Sequence, residues 1–253
     1  MTANSCQGCR DGAAFAAPFT MAFQPIVDTE TGHIYAYEAL VRGSNGESAD
    51  KILSLVNDQN RYAFDQACRV KAIEKAVAAG LLQTEAKLSI NFLPNAVYSP
   101  MACIQLTLKT ARAQALPLER LVFEFTENEE MASPEHVADI ITTYKKFGFT
   151  VALDDFGSSY SGLDRLAVLV PDVIKLDRQL LGGIDRDPRR RAIIASMAAL
   201  GQQLDTRIVA EGIETEAEAT TLRELGVRYH QGFWYARPAL EQLPGLSNES
   251  LAA

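Results

Sequence analysis

Short apolar runs rich in β-branched and aromatic residues alternate along this chain with longer stretches of helical period. The runs fall at Met21–Val27, Ile34–Leu40, Lys87–Phe92, Leu121–Phe125, Thr150–Leu153, Val173–Leu176, Arg207–Ala210 and Tyr229–Trp234. Between them, helices are predicted over Tyr62–Ala79, Ile104–Gln114, His136–Phe147, Arg190–Leu204 and Ala217–Leu225. Their ends are marked. Ser133-Pro134-Glu135 reads as an N-cap, a proline in the first turn and a first-turn acid, and Asp187-Pro188 repeats the signal. Thr215 with Glu218 forms a capping-box pattern, and Gly80, Gly148 and Gly226 read as C-terminal stops. Strands alternating with helices predict a mainly parallel sheet. Eight strand candidates in 253 residues, close to the roughly 250 of a (β/α)8 chain, favour a closed TIM-like barrel over an open sheet. No glycine-rich phosphate loop of the dinucleotide or Walker type is present to favour the open form. Only Asp28–His33 separates the first two runs, too short for a crossover helix, so one antiparallel strand near the N-terminus is expected.

The second pattern is polar. Most of the runs end in, or are followed at once by, a carboxylate, an amide or a lysine: Glu38, Asn91, Glu124, Asp154, Asp155, Lys175, Glu211 and Gln231. In a barrel these positions lie at the C-terminal face, where active sites are built. Any one of them alone reads as a solvated loop residue; their recurrence at the same end of successive strands does not. Oxygen donors without a histidine cluster suit Mg²⁺ or Mn²⁺ better than Zn²⁺. Asp154 and Asp155 repel when both are ionised, which a divalent ion relieves. Adjacent residues on a strand point to opposite sides, so Asp155 reaches the site only if the chain bends, and Gly157 permits a bend. Lys175 sits inside the apolar strand Val173–Leu176 and needs an anionic partner, which the acidic ring supplies.

Net charge is −8, which argues against a surface for nucleic-acid polymers. The basic run Arg189-Arg190-Arg191 reads as a solvated first helical turn. No apolar stretch reaches the roughly 18 residues of a membrane span, and no secretion signal is legible, so a cytoplasmic location is expected. Cys68 and Cys103 read as buried thiols; Cys6 and Cys9 make half a zinc site at most. The expected organisation is a leader over 1–18, a barrel over 19–245 and a tail over 246–253.

The chain resembles the EAL-domain cyclic di-GMP phosphodiesterases from about Phe23 to Pro238. The motifs are Phe23-Gln24-Pro25-Ile26-Val27, Glu38-Ala39-Leu40-Val41-Arg42, Ser89-Ile90-Asn91-Phe92, Phe123-Glu124-Phe125-Thr126-Glu127, Asp154-Asp155-Phe156-Gly157, Ile174-Lys175-Leu176-Asp177, Ala210–Thr215 and Gln231-Gly232. The resemblance implies hydrolysis of cyclic di-GMP to linear pGpG. It implies that Glu38, Asn91, Glu124 and Asp154 hold one divalent ion, Mg²⁺ or Mn²⁺, and that Asp154 bridges to a second held by Asp155, with Glu211 nearby as ligand or base. Lys175 is implied at the attacking water, Arg42 at a phosphate, and Gln24 and Gln231 along the nucleotide. Glu127 is implied to brace the loop after Asp155, with Asp177 and Glu214 behind the ligands. A homodimer and a regulating sensor domain or partner protein are further expectations. Ser159 departs from the family, which usually has glycine there. A catalytically silent receptor or an interaction module is the alternative reading; the complete set of ligand types favours the enzyme.

Overall fold

The structure, a computed structural model, describes residues 13–126, 133–158, 162–248 and 250. Cys6, Cys9, Glu127 and Ser159 therefore lie outside the described residues. Strands β1 (Phe19–Asp28) and β2 (His33–Gly43) form the expected antiparallel hairpin, in register from Phe19↔Gly43 to Asp28↔His33. β3 (Lys87–Asn91), β4 (Leu121–Thr126), β5 (Thr150–Phe156), β6 (Val173–Leu176), β7 (Arg207–Ala210) and β8 (Tyr229–His230) follow β2 in unbroken parallel order. β1 closes the ring, antiparallel to both β8 and β2, and a short β9 (Ala239–Leu240) pairs with β1 outside the closed eight. The TIM-like barrel with one antiparallel N-terminal strand is thus observed.

The helices are α1 (Ala49–Leu53), α2 (Arg61–Ala78), α3 (Pro100–Cys103), α4 (Gln105–Ala113), α5 (Pro134–Lys146), α6 (Gly162–Val168), α7 (Arg178–Leu181), α8 (Pro188–Gln203) and α9 (Glu216–Glu224). The five long ones match the helical period in the sequence. α1, α3, α6 and α7 are too short to show one. The predicted caps are in place: Ser133, Asp187 and Thr215 accept from backbone N–H groups of α5, α8 and α9. The capping box of α9 is modified. The Glu218 carboxylate reaches past Thr215 to accept from Glu214 N (3.0 Å). Gly80, Gly148 and Gly226 take φ of 98°, 85° and 84°, the left-handed stops their positions require. Cys68 and Cys103 are buried thiols, as expected.

Strand alternation sorts the barrel's side chains. Leu88, Ile90, Phe123, Phe125, Val151, Leu153, Ile174 and Ile208 pack outward against the helices in the main core. A separate small cluster of Ile26, Ala36, Val122, Ala152, Val173 and Val209 faces the other way, into the barrel. Two residues beyond five of these lie Glu38, Glu124, Asp154, Lys175 and Glu211. β1 runs backwards, so its equivalent is two residues before Ile26, at Gln24. One apolar layer thus floors the barrel, and a polar layer sits directly above it.

Three strands differ most from expectation, the first being β2, which runs past Leu40 to Gly43. β8 stops at His230 rather than Trp234, because the chain turns at Gly232, where Tyr235 and Ala236 donate back to the Gly232 carbonyl. β5 runs past Leu153 to Phe156. Contacts also extend beyond residues 19–245: Phe15 packs on Phe19 and Phe64, and Ser247 donates to the Trp234 carbonyl.

Gly232 tests this packing. A Cβ there would lie 2.1 Å from the Ile213 carbonyl oxygen and 2.2 Å from its nitrogen, both backbone atoms. Gly232→Ala should cost about 1–3 kcal/mol and lower Tm by roughly 5 °C, read by thermal unfolding. An unchanged Tm would show that the β7–α9 loop yields freely.

Candidate active site

The polar layer converges on Lys175. Its Nζ lies 2.8 Å from Glu211 Oε1, 3.0 Å from Glu124 Oε2, and 3.2 Å from both Glu38 Oε2 and Asp154 Oδ1. Lys175, Glu38, Glu124 and Asp154 are all buried. Around them Asn91 Nδ2 donates to Glu38 Oε1 (2.9 Å), and the Ser89 hydroxyl donates to Glu124. Gln231 Nε2 donates to Glu38 Oε2 (2.7 Å) and to Gln24 Oε1 (3.3 Å), while Gln24 Nε2 donates to the Ala236 carbonyl (3.0 Å).

Asp155 joins this group through its backbone. It takes φ 55°, a left-handed conformation rare outside glycine, and the β5–β6 register shifts between Leu153 and Phe156. The bend expected from Gly157 (φ 91°) thus begins two residues earlier, at Asp155 itself. Alternation is broken there, and both aspartates face one site.

Carboxylate oxygens form two sets, each within 4.8 Å: Glu38, Glu124 and Asp154, then Asp154, Asp155 and Glu211. Asp154 belongs to both. Five carboxylates surround one ammonium, an excess of negative charge that suits divalent cations. The donors are all oxygens, which fits Mg²⁺ or Mn²⁺ chemistry. The electrostatics record the strain. Burial pushes the Glu124 carboxyl up to about 8; Lys175 pulls it down, and Glu38 and Asp154 add to the rise. Burial with neighbouring Asp154 and Asp177 raises Asp155 to about 6. Burial with Asp154 lifts Glu211 well above the usual carboxylate range. Glu38 alone of the set is held down: burial acts against it, but Lys175, Gln231 and Asn91 prevail. Burial also works against the Lys175 charge, yet Asp154, Glu124, Glu211 and Glu38 hold it well above the usual lysine range.

Two cavities flank the cluster and share Glu38. One of about 320 Å³ is lined by Asn91, Asp154, Asp155 and Asp65 with an apolar wall including Leu40, Phe64 and Leu93. The other, about 240 Å³, is lined by Gln24, Glu211, Gln231, Asp177, Glu214 and Phe233. Arg42 lies four residues beyond Glu38 on the same face of β2, and its Nη1 donates to the Val41 carbonyl (2.7 Å) rather than joining the cluster. The sequence reading gave neither Ser89 nor Asp65 a role in the site, although Ser89 stands in a quoted motif. Ser89 sits two residues before Asn91, so alternation alone could have found it. Asp65 lies in a helix, where nothing local marks it.

Comparison with known proteins agrees with this geometry. The EAL domain family profile matches residues 13–238. This chain belongs to the EAL domain family. The c-di-GMP-bound standalone versatile EAL protein of Vibrio cholerae O395 superposes with a TM-score of 0.90 at 46% identity, over 95% of this chain and 100% of that one. The manganese/cy-diGMP complex of Klebsiella pneumoniae BlrP1 at pH 9.0 gives a TM-score of 0.84 at 30% identity, over 90% of this chain and 58% of that one. The cyclic di-GMP phosphodiesterase RocR of Pseudomonas aeruginosa is 38% identical over 127 residues, 50% of this chain and 32% of RocR. The EAL chain spans between 33% and 56% of the length of the first curated relatives it matches.

The raised Glu124 value fixes a pH dependence. A carboxyl held above its unfolded value keeps its proton better in the folded state, so its stabilising contribution is lost as pH rises towards about 8. His230, held down at about 4 mainly by burial, acts oppositely, but only below its unfolded value near 6.5. In chelator, Tm should therefore fall between pH 6.5 and 8, and Glu124→Gln should flatten that fall. A rise in wild-type Tm over this interval would contradict the charge crowding.

Proposed function

We propose that this chain hydrolyses one phosphodiester of cyclic di-GMP to give linear pGpG, with two divalent ions, Mg²⁺ or Mn²⁺, in the carboxylate cluster. The observation that carries the reading is the pair of carboxylate sets joined through Asp154. Ions bound there would lower the pKa of a water and stabilise in-line displacement at phosphorus. Glu38, Asn91, Glu124 and Asp154 would hold one ion; Asp154, Asp155 and Glu211 would hold the other. Lys175 holds the attacking water through an N–H donor and offsets phosphate charge. Gln24 and Gln231 line the nucleotide from the smaller cavity, and Arg42, four residues beyond Glu38 on β2, grips a phosphate. Glu127, outside the described residues, keeps its proposed place as brace of the loop after Asp155. The ligand in the Vibrio structure and the manganese in the Klebsiella complex support this assignment.

The catalytic unit is the barrel over 19–245, working as a homodimer under a sensor domain or partner protein in the cytoplasm. Leu163, Val168 and Val170, exposed at 65%, 55% and 64% on and just beyond α6, support the dimer. Among the described residues no helix is long and apolar enough to cross a membrane.

Incubation with cyclic di-GMP and Mg²⁺ or Mn²⁺, followed by chromatography, should yield pGpG, and excess EDTA should stop it. Binding without product would leave a receptor. Glu38→Ala should lower turnover by about 100-fold or more while circular dichroism stays unchanged; wild-type turnover would remove Glu38 from the site.

Lys175→Ala separates binding from chemistry. A group acting on the attacking water is used mainly in the transition state. The variant should lose roughly 100-fold or more in kcat with little change in nucleotide affinity. Equal losses in both would make Lys175 a substrate anchor instead.

A further inference from the structure

Asp65 and Arg69 form an ion pair one helical turn apart on α2, with Arg69 Nη2 2.8 Å from Asp65 Oδ2 and side-chain exposures of 0% and 1%. A charge pair buried this deeply gives little net stability against an apolar replacement, so its retention calls for a reason. The contacts supply one. β3 ends at Asn91. Phe92 N still donates to the Glu124 carbonyl (2.9 Å), the last bond of the ladder. The next donor, Leu93 N, is taken by Asp65 Oδ1 at 3.0 Å. The Arg69 guanidinium lies over the rings of Phe92 and Phe123, 5.4 Å from each centroid, and 5.8 Å from that of Tyr144, whose hydroxyl accepts from Nη1 at 2.7 Å.

Both residues after Asn91 are therefore gripped by one ion pair. Asp65 holds the backbone of Leu93, and Arg69 holds the ring of Phe92. Phe123, immediately before Glu124 on β4, shares the same guanidinium. Asp65 also lines the larger cavity together with Asn91, Glu38, Asp154 and Asp155. Asn91 spends its Nδ2 on Glu38, which leaves its carbonyl oxygen as the atom for a cation. That oxygen is placed only as well as the backbone behind it.

We propose that the buried Asp65–Arg69 pair is a clamp that positions Asn91 for cation binding, acting through the Leu93 N–H and the Phe92 ring. The inference rests on the metal-dependent reading above, and it assigns Asp65 and Arg69 a positioning role without contact to substrate. Removing groups that orient a ligand from behind typically costs about 10–100-fold in metal affinity.

The test is calorimetric titration of the full chain with Mn²⁺ alone. Asp65→Ala leaves Arg69 unpaired and risks unfolding. The double variant Asp65→Ala/Arg69→Met removes both charges and leaves an apolar side chain among the aromatic rings, so it should fold. Its Mn²⁺ affinity should fall about tenfold with circular dichroism unchanged and a cooperative thermal transition retained, the open Leu93 N–H lowering Tm somewhat. Because the clamp acts through Asn91, adding Asn91→Ala to the double variant should weaken binding no further than Asn91→Ala does by itself. A folded double variant with wild-type affinity overturns the clamp, as does a loss that adds in full to that of Asn91→Ala. Wild-type protein that binds no Mn²⁺ overturns the metal-dependent reading itself, and the clamp with it.

Discussion

Lys175 sets the conditions for everything above the apolar floor of the barrel. An ammonium with 1% side-chain exposure is tolerable only if anions surround it, and four carboxylates do so within 3.2 Å. The carboxylates in turn outnumber their counter-ion. Burial first, and this imbalance after it, lifts Glu124 to about 8 and Glu211 well above its usual range. A site in this condition is costly to keep in a folded protein, and divalent cations relieve the cost. The charge crowding that lowers stability at neutral pH is the same crowding that a bound cation would relieve.

Holding such a cluster in place requires rigidity from outside it. On one flank, Gln24 and Gln231 tie Glu38 to β1 and to the turn at Ala236. On another, Arg178 on α7 bonds to Glu218, to Glu214 and to the Gly212 carbonyl, and so fixes the loop that follows Glu211. Glu218 also accepts from Gly183 N, which joins the segments after β6 and β7 into one unit. On the third flank the Asp65–Arg69 pair grips the chain after Asn91. The segments after β3 and β7 are thus steadied just beyond their last ladder bonds, where the sheet no longer constrains them.

Asp155 shows local strain serving the site. A non-glycine residue at φ 55° within a strand is disfavoured, and aspartate tolerates the left-handed region better than most. The gain is that two consecutive carboxylates face one side, which regular alternation forbids. That single conformation turns one cluster of carboxylate oxygens into two sets sharing Asp154.

The amino-acid pattern was enough to specify the barrel, its one reversed strand and the ring of polar residues at the strand ends. Those features depend on periodicity, loop length and the cost of burying charge, all of which act locally along the chain. The N-caps at Ser133 and Asp187 and the stops at Gly80, Gly148 and Gly226 were legible for the same reason. Tertiary structure decided the rest. β8 ends at His230 because Gly232 must pass against the Ile213 backbone, a contact between residues far apart in sequence. The bend at Asp155 arises where β5 slips against β6, which the strand's own residues do not announce. Asp65 looks like any helical acid until the fold brings it to Leu93 N. Arg42 shares a strand face with Glu38, yet its guanidinium turns back to its own strand. Local pattern fixes which residues can face the site; only packing between distant segments fixes the atoms that meet there.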